Sequence, residues 1–110
     1  RERAGMAGQV RACLLSRPGC LPDMENIAQQ LHLSSRTLRR RLLDEGTHFR
    51  VLLEEVRQAL AEELLATGGL TLEEIAARLG YAEVSNFIHA FKRWRGLAPH
   101  QYRQRHRDVI

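Results

Sequence analysis

Two stretches decide how this chain folds: Ile27-Ala28-Gln29-Gln30-Leu31-His32-Leu33 and Ile75-Ala76-Ala77-Arg78-Leu79-Gly80-Tyr81. Both open on Ile-Ala, place Leu four residues after the Ile, and put an apolar or aromatic residue two further on. Beyond that point Leu38 and Leu42 of the first copy answer to Phe87 and Phe91 of the second. Ile27 and Ile75 are 48 residues apart, and Leu38 and Phe87 are 49 apart, so the second copy carries one extra residue in its turn. Each copy reads as a short helix, a tight turn and a second helix with apolar residues four apart. A small residue is needed where the two helices cross, and Ala28 and Ala76 supply it. The turn needs a residue at positive φ. Gly80 accepts this freely, whereas His32 accepts it at some cost. The layout is that of a helix-turn-helix, and two copies are far more specific than one.

Working outward, Met6, Val10, Cys13 and Leu14 recur at helical spacing, so a first helix runs to about Ser16. Pro18-Gly19 and Pro22 break it. Asp23 suits the N-cap of the helix carrying Ile27, Ala28 and Leu31. Ser34 suits the N-cap of a third helix, which carries Leu38 and Leu42 and ends before Gly46. Thr47 is expected to cap a long fourth helix, whose Leu52, Val56, Leu60, Leu64 and Leu65 hold one face until Gly68-Gly69. Thr71 and Glu74 have capping-box spacing ahead of a fifth helix with Leu72, Ile75, Ala76 and Leu79. A sixth carries Phe87, Ile88, Phe91 and Trp94 and stops at Gly96. Pro99 suits the first turn of a short last helix through Tyr102, after which a basic tail, 103–108, is expected to fray. The predicted fold is all-α, with about seven helices. Residues 1–46 form an N-terminal helix-turn-helix subdomain, 47–67 a linker helix, and 68–110 a C-terminal helix-turn-helix subdomain with the basic tail.

Composition agrees. With 44% hydrophobic and 27% charged residues, the chain has ordinary globular proportions. Its 110 residues can bury a modest core without metal or disulfide. Seventeen Lys and Arg against thirteen Asp and Glu give a formal charge of +4 and a pI near 9.8. That balance points to a polyanionic partner, nucleic acid or an anionic membrane. No apolar run approaches the roughly 20 residues that span a bilayer, and no signal peptide is present, so a bacterial cytoplasmic location is expected. The opening residues read like the middle of a longer protein, so an N-terminal effector or dimerisation domain is expected to be missing. Cys13 and Cys20 have no second pair and no suitably spaced histidines, so no zinc site is expected. They read as one core thiol and one loop thiol in a reducing compartment. No Ser/His/Asp set, phosphate-cradling loop or metal spacing stands out. His48, His100 and His106 read as surface residues. No enzyme activity, catalytic residue or cofactor is expected. A helical module that binds acidic protein through its Arg-rich helix is the remaining rival.

The sequence resembles the C-terminal DNA-binding domain of the bacterial transcription regulators typified by the arabinose-operon activator, the AraC/XylS-type family. The resemblance covers about residues 8 to 103. Its first half lies in Leu33-Ser34-Ser35-Arg36-Thr37-Leu38-Arg39-Arg40. In the linker helix it rests on Arg57, Ala61, Leu64 and Leu65. In the second half it rests on Ile75-Ala76, Gly80-Tyr81, Ser85, Phe87, Phe91-Lys92, Gly96, Pro99 and Tyr102-Arg103. Three residues depart from the pattern: His32 replaces a turn glycine, Leu42 an aromatic, and Ala98 a capping Ser or Thr.

The resemblance implies sequence-specific binding of double-stranded promoter DNA as the output of a regulator. Leu38 and Leu42 are expected to face the core, with Ser35, Arg36, Arg39 and Arg40 opposite. Arg pairs bidentately with guanine in the major groove, and the resemblance implies DNA contact at Arg36, Arg39 and Arg40. Ser34 is expected to cap its helix or donate to a phosphate, and Arg41 to reach phosphate. In the sixth helix the resemblance implies base reading at Val84, Ser85, Asn86 and His89. Asn suits adenine and Val a thymine methyl, although Ser85 also fits a cap. Lys92 and Arg93 are expected on phosphates, which position a helix without reading sequence. Trp94 reads as core. Arg57 reads as an ion-pair partner holding the two halves together. Glu54, Glu55, Glu62 and Glu63 make an acidic face, read first as a solvated surface and second as a face for RNA polymerase. A linker helix of about 19 residues spans roughly 28 Å, against about 34 Å between successive major grooves. Two recognition helices are therefore expected in successive grooves of one asymmetric site.

Overall fold

The computed structural model describes residues 5–16 and 21–109. Its regular structure there is entirely helical: α1 (Met6–Leu15), α2 (Met24–Gln30), α3 (Ser35–Asp44), α4 (Phe49–Thr67), α5 (Leu72–Arg78), α6 (Val84–Arg95) and α7 (Pro99–Val109). The chain divides into two compact units, Arg1–Val56 and Arg57–Ile110, with the boundary inside α4. The expected break at Pro18-Gly19 and the expected loop thiol of Cys20 lie outside the described residues.

In the first unit α1 packs on α2 and α3, and α2 packs on α3. Met6, Val10 and Leu14 of α1 are buried, as are Ile27, Ala28, Leu38, Leu42, Leu52 and Val56. Asp23 caps α2 by accepting from the Asn26 N–H at 2.9 Å. Ser34 caps α3 by accepting from the Thr37 N–H at 3.1 Å. In the turn between them the His32 N–H donates to the Gln29 carbonyl at 3.0 Å and the Leu33 N–H to the Ala28 carbonyl at 2.9 Å. His32 does adopt positive φ, at 60°.

Two expectations change in this unit. The long helix begins at Phe49, and its first bonds go to the His48 carbonyl, from the N–H groups of Val51 and Leu52. His48, not Thr47, therefore holds the N-cap position. The Thr47 N–H instead donates back to the Leu42 carbonyl at 3.0 Å, closing the end of α3. Cys13 is only half-buried on α1, not a core thiol. The unit also holds a long-range cap. The N–H groups of Met6 and Ala7 donate to the Glu45 carboxylate at 2.6 and 2.9 Å, satisfying donors that the start of α1 leaves orphaned.

In the second unit α5 packs on α6, and α6 on α7. Ala61, Leu65, Ile75, Ala76, Leu79, Phe87 and Phe91 form one buried cluster. Phe91 is its hub, meeting Phe87, Trp94 and Tyr102 edge-on with centroids 6.0, 6.2 and 5.3 Å away. Trp94 is thus packed against the core, as expected. Thr71 and Glu74 complete the capping box, with bonds of 2.8 and 3.1 Å. The last helix is longer than its sequence suggests, continuing to Val109 where fraying was expected. Arg103 Nε and Nη2 donate to the carbonyls of Leu65 and Leu70 at 3.3 and 2.8 Å. The His106 ring lies on Tyr102 with centroids 4.7 Å apart. These contacts hold the helix beyond Tyr102, and they make His106 a half-buried packing residue rather than a surface one.

Candidate nucleic-acid interface

The same device produces an exposed polar face in each unit. In α3, Leu38 and Leu42 are fully buried, which turns the other side of the helix outward. Arg36, Arg39, Arg40 and Arg41 are exposed and Ser35 is half-exposed. Among the described residues none of these four guanidiniums has an ion-pair or hydrogen-bond partner. Four unpaired cations on two turns leave a local positive charge that an anionic surface would neutralise. Ser34 is committed to its cap: its hydroxyl accepts from Thr37 N–H and donates to Thr37 Oγ1 at 3.0 Å. Leu43 lies one turn beyond Arg39 and Arg40 and is 51% exposed, the one large apolar side chain on that row. The sequence reading passed it over.

In α6, Phe87, Ala90 and Phe91 are buried. Ser85, Asn86, His89, Lys92 and Arg93 are exposed. Val84 is only partly exposed, because it packs against the core cluster. The N-cap is Glu83, in extended backbone and without a side-chain cap. Ser85 is therefore the second residue inside the helix, which removes its alternative reading as a cap. Three basic residues, Lys92, Arg93 and Arg95, occupy the last turn, where a cation is favoured by the helix dipole. Arg95 is partly used within the unit, 3.5 Å from Glu62 and over the Tyr102 ring.

Arg57 corrects its expected role. Its partners are not carboxylates but the carbonyls of Leu79 and Gly80, with Nε 2.7 Å from the first and Nη2 3.4 Å from the second. Two of the acidic residues of α4 are paired and not merely solvated. Glu55 pairs with Arg11 at 3.0 Å, and Glu62 with Arg95. Among the described residues no group of three or more His, Cys, Asp or Glu side chains is gathered to hold a metal ion. No helix there is long and apolar enough to cross a membrane.

Comparison with known proteins agrees with this geometry. A family profile described as "Helix-turn-helix domain" matches residues 27–105. An uncharacterized HTH-type transcriptional regulator of Mycobacterium tuberculosis is 48% identical over 104 residues, covering 94% of this chain and 30% of that protein. The chain thus spans about a third of the length of these curated relatives. The crystal structure of a DNA-binding transcriptional dual regulator from Escherichia coli K-12 superposes with a TM-score of 0.86 at 27% identity, covering 98% of this chain and 97% of that one. The DNA-binding domain of AdpA, a global transcriptional factor crystallised with a target DNA, does so with a TM-score of 0.75 at 27% identity, covering 96% of each chain. The repeated turn, the two outward polar faces and these matches agree: the chain belongs to the helix-turn-helix domain family of the AraC/XylS type.

Proposed function

We propose that this chain binds double-stranded promoter DNA in a sequence-specific way, as the output module of a longer transcription regulator. The observation that carries the reading is the four exposed arginines on α3, unpaired among the described residues, on a cationic face set by the buried Leu38 and Leu42. Arg36, Arg39 and Arg40 read base edges, with guanine the natural partner of a guanidinium fork. Ser35 stands beside them at the start of α3, the end of a recognition helix that reaches the bases. In the second unit Ser85, Asn86 and His89 read bases from the N-terminal half of α6, and Val84 offers its exposed part to a thymine methyl. Arg41, Lys92 and Arg93 contact phosphate. Ser34 contributes by capping α3, and it donates to a phosphate only by turning its single hydroxyl hydrogen away from Thr37 Oγ1. The two reading faces differ in chemistry, so the preferred site is asymmetric.

The module is a binding device and not an enzyme, and it works in a bacterial cytoplasm on the nucleoid. The effector-sensing or dimerising part belongs to the rest of the regulator. The test is a gel-shift titration with a duplex selected by the chain from a random-sequence library, against nonspecific competitor, over a salt series. Binding should outlast the competitor and weaken steeply as salt rises, since each neutralised phosphate releases counterions. Equal affinity for all duplexes would overturn the proposal.

A further inference from the structure

Arg57 engages the turn between α5 and α6 in three ways. Its Nε donates to the Leu79 carbonyl at 2.7 Å, its Nη2 donates to the Gly80 carbonyl at 3.4 Å, and its guanidinium carbon sits 4.2 Å from the centroid of the Tyr81 ring. Leu79 is the C-cap of α5, where carbonyls lack helical partners and the helix dipole is negative. A cation with a planar fork suits that spot better than a point charge. The Tyr81 ring in turn packs on Phe87, the first buried residue of α6, with centroids 6.0 Å apart. Gly80 has φ +91°, and a Cβ there would stand 3.2 Å from Arg57 Nη2. Backbone and aromatic ring of one three-residue turn are therefore gripped by a single side chain, and that turn sets how α6 leaves α5.

The first unit has the same backbone turn without this grip. Its Leu33 N–H reaches the Ala28 carbonyl at 2.9 Å, as the Tyr81 N–H reaches that of Ala76 at 2.9 Å. Among the described residues no side chain donates to the carbonyls of Leu31 or His32. We infer that Arg57 is a positioning residue for base reading by α6: it fixes the turn so that Ser85, Asn86 and His89 meet the duplex in one orientation. This rests on the proposed role of α6 as a reading helix. Discrimination among bases under α6 depends on Arg57, and discrimination under α3 does not.

Arg57→Lys and Arg57→Met test it, the first keeping charge and stem, the second only the stem. The probes are a duplex selected by the wild-type chain from a random-sequence library, every single-base variant of it, and a random duplex. Amide NMR spectra report the fold of each unit. In both variants the preference at the bases sensitive to Asn86→Ala should fall about tenfold, the size of one lost charge-assisted hydrogen bond. Preference at the bases sensitive to Arg40→Ala, and affinity for the random duplex, should stay near wild type. An equal loss on every duplex, or unchanged preference, would overturn the inference. So would loss of the second unit's amide spectrum in both variants, because Arg57 would then be a folding element only. A wild-type chain without any base preference traceable to α6 would instead remove the reading role of α6 itself, and the inference with it.

Discussion

Glu45 shows how much one side chain can join. Its carboxylate accepts the N–H groups of Ala7 and Met6, and these bonds, Ala7's first, hold its pKa below the usual Glu value. A depressed carboxylate pKa contributes stability that is present above the unfolded value, about 4.3, and is lost as pH falls through the folded value. Melting of the first unit should therefore drop on acidification below about pH 4.3, and Glu45→Gln should flatten that drop while lowering Tm at neutral pH. Gly5→Ala should act alike, since its Cβ would stand 2.7 Å from Glu45 Oε2 and push the carboxylate off the helix. Asp23, lowered by the Asn26 N–H and then by its side chain, supplies the part of the drop that survives in Glu45→Gln. A Tm-against-pH profile identical in wild type and Glu45→Gln would refute the assignment. Asp23, Ser34 and Thr71 were readable as caps because each bonds three residues ahead. Glu45 was not, because its partners lie 38 and 39 residues away. Ala98 shows a cap half made: the Gln101 carboxamide oxygen accepts its N–H at 2.8 Å, but no hydroxyl is available to return the bond. Ala98→Ser should complete the box and add about 1 kcal/mol, read as a Tm a few degrees higher in the second unit. No gain would mean that the first turn of α7 is already satisfied.

At the scale of elements, the sequence served best where burial alternates with exposure along one helix. α3 and α6 were legible because Leu38 and Leu42, or Phe87 and Phe91, leave only one orientation for the residues between them. Elements stabilised from outside were not. The end of α7 reads as a basic tail, and the carbonyls offered by Leu65 and Leu70 to Arg103, with the His106 ring on Tyr102, explain why it stays helical. The long α4 was placed correctly but started late, because the preceding residues are spent on closing α3. Arg57 looked like half of an ion pair because its carbonyl partners carry no sequence signature. The elements also predict different losses of binding. Lys92 lies in the last turn of α6, beyond the residues assigned to base edges. Lys92→Ala should weaken specific and random duplexes by similar factors and reduce the salt slope by about one. A loss restricted to one sequence would show that Lys92 touches a base.

For the whole molecule, the decisive property is that two unlike exposed polar faces, proposed above to read bases, belong to one chain. Arginines dominate α3, while a serine, an asparagine and a histidine lead α6. A single-base scan of the selected duplex should therefore show two separate clusters of sensitive positions that are not mirror images. Arg40→Ala should flatten one cluster at a cost of about 1–3 kcal/mol, and Asn86→Ala should flatten the other by a similar amount. The two side chains sit in different compact units and, among the described residues, share no hydrogen-bond or ion-pair partner, so the losses should add in the double variant to within about 0.5 kcal/mol. Additivity has a physical meaning here. It requires that each helix keeps its register on the duplex after the other loses a contact, which phosphate contacts by Arg41, Lys92 and Arg93 would secure. If instead either substitution flattened both clusters, the units would be reading as one interdependent surface. If both flattened the same cluster, only one helix would be reading sequence, and the other would serve as a cationic anchor.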